Sequence, residues 1–79
     1  MIINVRFFAL TREIAGQPSV EQTVPDGATL ADFTQWLYTT YPVMEPLRLR
    51  FAVNMAYVPM ETILKKGDEI ACIPPVGGG

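Results

Sequence analysis

The sequence predicts an α+β fold, a mixed sheet of about five strands with one main helix on one face. Two observations carry this. Several short segments alternate apolar and polar residues with the period of two that suits a half-buried strand. A single long stretch, residues 30–40, instead repeats its apolar residues at helical spacing. Size agrees: 79 residues make one domain. Such a chain buries about 60–65% of its unfolded surface, with a net stability of roughly 4–12 kcal/mol. A single helix can cover one face of a sheet of this size.

The first strand spans residues 2–8. Ile3, Val5 and Phe7 share the core face, and Ile2, Asn4, Arg6 and Phe8 the other. Phe8 is thus an aromatic on the wetter side. In the next stretch Leu10 and Ile14, four apart, meet on one side of a short helical turn. Gly16 suits the left-handed residue after its end. Pro18 opens a new segment, and Val20, Thr23 and Val24 support a second strand over 19–24, antiparallel to the first.

Pro25-Asp26-Gly27 is turn chemistry. Thr29 is then an N-cap, with Asp32 in the capping-box position. The long helix runs from Leu30 to about Thr40. Leu30, Phe33 and Leu37 form its buried stripe, Trp36 and Tyr41 sit at the margins, and Asp32, Thr34, Gln35 and Thr39 face water. Trp36 and Tyr41, at helical spacing, read as core rather than as stacking platforms for a ligand. Pro42 stops the helix by disfavouring the helical conformation at Tyr41. Residues 43–47 form a loop around Pro46. Leu49, Phe51 and Val53 alternate in a third strand of about 48–54. Asn54 allows a turn, and Tyr57-Val58 is a short fourth strand closed by Pro59. Leu64 plugs the core from an approach turn in which Gly67 takes positive φ. The last strand is 69–73, with Ile70 and Cys72 toward the core and Glu69, Ala71 and Ile73 away from it. Ile73 therefore repeats the anomaly of Phe8.

If the first and last strands lie side by side they are parallel, and the result is a β-grasp, or ubiquitin-like, roll. Periodicity itself gives α+β and leaves the strand order open.

Composition removes several function classes. The sequence contains one cysteine and no histidine, which excludes an internal disulfide, a metal-ligand cluster and Ser/His or Cys/His nucleophile pairs. Net charge −2 and a pI near 4.8 argue against a nucleic-acid partner, which wants a basic face. The sequence has no apolar run of the ~18–20 residues that a membrane span needs. It has no signal-peptide pattern, so the expected location is cytoplasmic with no membrane partner. Cys72, set between apolar residues on the core face, reads as a structural thiol, since a reactive one needs exposure and an electropositive neighbourhood.

The functional signal lies at the end of the sequence, Pro74-Pro75-Val76-Gly77-Gly78-Gly79. The two prolines fix φ and remove N–H donors, so the preceding strand cannot go on pairing. The three glycines offer no Cβ to obstruct close approach to another surface. We read residues 1–73 as a β-grasp domain and 74–79 as a flexible tail ending in Gly-Gly. From Pro75 to the last carboxylate is a reach of roughly 13–14 Å at ~3.3–3.6 Å per residue, enough to enter a partner's active site while the body stays outside. An inert linker-like end is the plain alternative.

The short pieces of this sequence together resemble one family. Phe7-Phe8-Ala9, Arg12-Glu13 and Gly16 open it, Thr29-Leu30, Ala52-Val53-Asn54 and Gly67-Asp68-Glu69-Ile70-Ala71 continue it, and Pro74-Pro75-Val76 with Gly78-Gly79 complete it. The set resembles the molybdopterin synthase small subunit, the sulfur carrier of molybdenum-cofactor synthesis. Cys72 and Ile73 stand where that family often has aromatics, and Gly77 where it often has a small polar residue or alanine. The resemblance implies a chain that catalyses nothing alone. An adenylating enzyme uses ATP to activate Gly79, a persulfide converts it to a thiocarboxylate, and the sulfur passes to a pterin precursor in the large synthase subunit, within a heterotetramer. No cofactor or metal is expected on the chain itself. Gly77, Gly78 and Gly79 would enter the partner's active site, and Phe8, Tyr57, Ile73, Pro75 and Val76 would hold the partner. Phe8 and Ile73 can meet on the open face if the terminal strands are neighbours; a register slip of one residue would instead put them in the core. Three other readings share these features: a thiamine-pathway sulfur carrier, a ubiquitin-like protein modifier, and a plain interaction domain.

Overall fold

The computed structural model describes residues 1–75. Its elements are β1 (Ile2–Phe7), α1 (Leu10–Ala15), β2 (Ser19–Thr23), α2 (Leu30–Thr40), a 3-10 segment (Pro42–Leu47), β3 (Arg50–Val53), β4 (Ala56–Tyr57) and β5 (Glu69–Ile73). The five strands form one sheet in the order β2-β1-β5-β3-β4. β1 and β5 pair parallel at its centre, from Asn4 beside Glu69 to Phe7 beside Cys72. The other neighbours are antiparallel. This is the roll in which the first and last strands lie together.

α2 packs across one face of the sheet because its apolar stripe and the inward strand residues are complementary. Ile3, Val5 and Phe7 of β1, Ile70 and Cys72 of β5, and Leu30, Phe33 and Leu37 of α2 are essentially inaccessible and form one cluster with Leu64. The helix begins with a complete capping box. The Asp32 amide donates to Thr29 Oγ1 at 3.2 Å and the Thr29 amide to Asp32 Oδ2 at 2.9 Å. Its next free amides are taken by the chain ahead of Leu64: Leu30 N–H donates to the Thr62 carbonyl at 2.9 Å and Ala31 N–H to that of Met60 at 2.8 Å. The amides that a helix start leaves unpaired are thus bonded, which explains why the loop before β5 wraps the helix end. Gly67 turns the chain into β5 at φ 83°.

Two readings are corrected. Residues 43–47 are part of the 3-10 segment, not an irregular loop, and its Met44 is fully buried beneath α2. Thr34, expected to face water, is buried, its hydroxyl donating back to the Ala31 carbonyl at 2.7 Å. In α1, Thr11 is fully buried and Ile14 packs against the core, while Leu10 remains 44% exposed. Polar side chains bonded to nearby carbonyls sit inside at little cost, and a hydrophobic stripe does not reveal them. Among the described residues, no helix is long and apolar enough to cross a membrane.

Candidate functional site: the open sheet face and the exit of β5

The face of the sheet away from α2 carries a hollow of about 530 Å³. Strand register explains its shape. Arg6, Ala71, Ala52 and Tyr57 stand in one row across β1, β5, β3 and β4. The two central positions are alanines, so the middle of the sheet is low and its flanks stand higher. Phe8, Ile73, Tyr57 and Met55 contribute to the rim, and Pro74 lies at the same edge.

Two of the walls are arginine–aromatic pairs. The Arg6 guanidinium lies 5.2 Å from the Phe8 ring centre, and that of Arg50 4.1 Å from the Tyr57 ring centre. Each contact places a positive charge against the face of an aromatic ring. Arg6 also approaches Glu69 at 3.7 Å, an exposed ion pair that adds little stability.

The three body residues singled out in the sequence, Phe8, Tyr57 and Ile73, line this one hollow. Phe8 and Ile73 are half-buried, and Tyr57 is 56% exposed. The register alternative fails, since neither Phe8 nor Ile73 belongs to the core cluster. Pro75 is exposed just beyond. Val76, Gly77, Gly78 and Gly79 lie outside the described residues.

Met55 was not read from the sequence. It is 92% exposed beside the hollow, at the second position of a two-residue hairpin turn whose members Asn54 and Met55 both have positive φ, 50° and 69°. That turn type favours Asn first and Gly second, so the Asn54 signal was present and the methionine concealed it. Arg6, Ala52 and Ala71 were also missed, because a polar residue and two alanines on the outer face of strands carry no pattern of their own.

Cys72 faces the core. Burial pushes its thiol up to about 12, so the thiol stays protonated and inert at neutral pH, as the structural reading requires. Among the described residues, no three His, Cys, Asp or Glu side chains come together to hold a metal.

Sheet order, single crossing helix and adjacent terminal strands define the class: a β-grasp body of the ubiquitin-like type, with its last strand leaving the sheet beside an apolar hollow. Comparison with known proteins narrows this. The profile of the ThiS family matches residues 5–79, and the chain belongs to that family. It is 37% identical to the molybdopterin synthase sulfur carrier subunit of Chlamydomonas reinhardtii, over the whole of both chains. Among solved structures, a putative molybdopterin converting factor subunit 1 from Pyrococcus furiosus superposes with a TM-score of 0.89 at 27% identity, covering 96% of this chain and 99% of that one. SAMP1 from Haloferax volcanii superposes with a TM-score of 0.85 at 25% identity, over all of both chains.

Proposed function

We propose that this chain is the sulfur carrier of molybdenum-cofactor biosynthesis and the small subunit of a molybdopterin synthase. The observation that supports this most strongly is the end-to-end similarity to a protein named a sulfur carrier subunit, in a sequence that finishes Pro-Pro-Val-Gly-Gly-Gly.

A terminal carboxylate has a pKa of about 3.3–3.7 and is ionised at pH 7, hence a poor electrophile. In this proposal a carboxylate oxygen of Gly79 attacks the α-phosphorus of ATP on a separate adenylating enzyme, releasing pyrophosphate. The terminal sulfur of a persulfide then attacks the acyl carbon and AMP leaves. A second thiol then attacks the donor's own sulfur in this acyl disulfide, breaking the S–S bond that came with the persulfide and forming a disulfide with the donor, and a thiocarboxylate remains on Gly79. The large subunit holds the pterin precursor that receives the sulfur, with the tail glycines in its channel, in a heterotetramer. Glycine suits each step, being unbranched next to the carbonyl and slim. The body contributes docking: a partner's apolar side chain sits on the Ala52–Ala71 floor between Phe8, Ile73 and Tyr57, and Pro75 and Val76 also hold the partner.

Intact mass spectrometry of the chain after incubation with the adenylating enzyme, ATP and a persulfide donor tests the proposal. The expected result is a mass gain equal to replacing one oxygen by sulfur. Deleting Gly78 and Gly79 is expected to abolish both that gain and cofactor production; undiminished production from the deleted chain refutes the proposal. A second reading, a protein modifier joined to lysines through the same glycine, is favoured by the likeness to SAMP1, a small archaeal modifier protein. Ladders of tagged conjugates on a blot from the native cell are its signature.

A further inference from the structure

The parallel ladder between β1 and β5 ends at the pair Phe7–Cys72. Phe8 and Ile73, the next residues along the two strands, are two walls of the hollow, and the Phe8 amide still reaches the Cys72 carbonyl at a long 3.4 Å. Beneath this junction lies Thr11, which is completely inaccessible. Its Oγ1 accepts from the Phe8 amide at 2.8 Å and donates to the Phe8 carbonyl at 2.6 Å, with the Cys72 carbonyl also in reach at 3.2 Å. The Thr11 amide donates to the same Phe8 carbonyl at 3.1 Å, closing a turn over Ala9 and Leu10. Ala9 there has φ 51° and ψ −126°, the first inner position of a type II′ turn, which glycine occupies without strain. An alanine in that region is strained and persists only where its surroundings hold it. One buried hydroxyl therefore braces a strained turn and, together with the long bond from the Phe8 amide to the Cys72 carbonyl, sets where Phe8 sits against the strand that continues into Pro74.

We propose that Thr11 is a positioning residue for sulfur transfer: its hydroxyl sets the distance between Phe8 and the end of β5, and so aims the outgoing chain relative to the docked face. The inference rests on the carrier reading. Thr11 touches no reacting atom. Its effect is on how much of the time the docked body and the outgoing Pro74–Pro75 segment are in register with one another.

The test compares Thr11→Val, which keeps the shape and loses the hydroxyl, with Thr11→Ser, which restores it. Thr29→Ala, a cap variant at the far end of the helix layer, is the control for general destabilisation. Each thiocarboxylated chain is saturated with large subunit, and single-turnover transfer is measured beside hydrogen exchange at the Phe8 amide. Thr11→Val should transfer about three- to tenfold more slowly, the net worth of one hydrogen bond expressed in rate. Its Phe8 amide should exchange at least about threefold faster. Thr11→Ser should stay within about twofold on both readouts, and Thr29→Ala should transfer at the wild-type rate. If Thr11→Val is unfolded at the assay temperature, Thr11→Ala in sucrose, which favours the folded state, takes its place with the same expectations. A hydroxyl-free chain transferring at full rate, or Thr29→Ala slowing it equally, overturns the inference. The chain lacking Gly78 and Gly79 runs alongside. If it is inactive while Thr11→Val transfers at full rate, only the positioning role is lost. If it still delivers sulfur, the carrier reading fails and takes the positioning role with it.

Discussion

Replacing Tyr57 with serine is the most direct probe of the proposed docking face. Tyr57 is 56% exposed on the two-residue edge strand β4, so over half of its side chain is available to a partner. An aromatic of this kind buries roughly 200 Å² when fully covered, and the exposed part is therefore about 110 Å². At ~25 cal/mol/Å² its removal from water on docking is worth up to about 2.8 kcal/mol, or about a hundredfold in affinity. Association terms reduce what is observed, so the expected rise in Kd is between about ten- and a hundredfold. In the free protein the substitution removes the Arg50 stack, worth about 0.5–1 kcal/mol at an exposed site, and some strand packing. About 1 kcal/mol in a domain of this size lowers Tm by about 4–8 °C. Titration calorimetry against the large subunit and thermal melting of the free chain give the two numbers. A Kd within twofold of wild type, with the free chain still folded, refutes docking through this face. Phe8→Ser and Ile73→Ser are less clean, because both residues are half-buried and their loss also costs stability.

Two further outcomes follow from the packing. Thr29→Ala breaks the capping box and should cost about 1 kcal/mol, seen as a lower urea midpoint at unchanged m-value. Cys72 makes stability fall at alkaline pH. Its folded thiol holds the proton to about 12, whereas the unfolded thiol ionises near 8.5, so above that pH the unfolded state binds fewer protons. Stability should drop by at most about 1.4 kcal/mol per pH unit between ~9 and ~12. Urea titrations should show a shallower alkaline slope for Cys72→Ala, and identical slopes would remove Cys72 as the cause.

Much of this architecture was legible because its signals are local. The α2 limits follow from Thr29, Asp32 and Pro42, which act on their own neighbours, and the inward residues of β1 and β5 from simple alternation. The strand order was conditional on the terminal strands meeting, which no local pattern states. Met44, Thr11 and Thr34 escaped because their burial depends on what lies opposite them. The site was half visible. Phe8 and Ile73 broke the alternation and so exposed themselves. The floor did not, since Ala52 and Ala71 matter by being small, and smallness becomes a concavity only beside larger neighbours.

The central pairing of β1 with β5 bears on how the chain is made. During synthesis β1 emerges early, yet the strand that belongs beside it is the last of the body. Until β5 arrives the sheet is two separate hairpins, each with an exposed edge and half a core. Contacts so distant along the chain close late and slowly. A nascent or truncated chain that stops before β5 thus offers open strand edges to aggregation or proteolysis. The residues that finish the fold are the ones that lead directly into the Pro-Pro step. A body able to dock is therefore one whose synthesis has already reached the threshold of the tail.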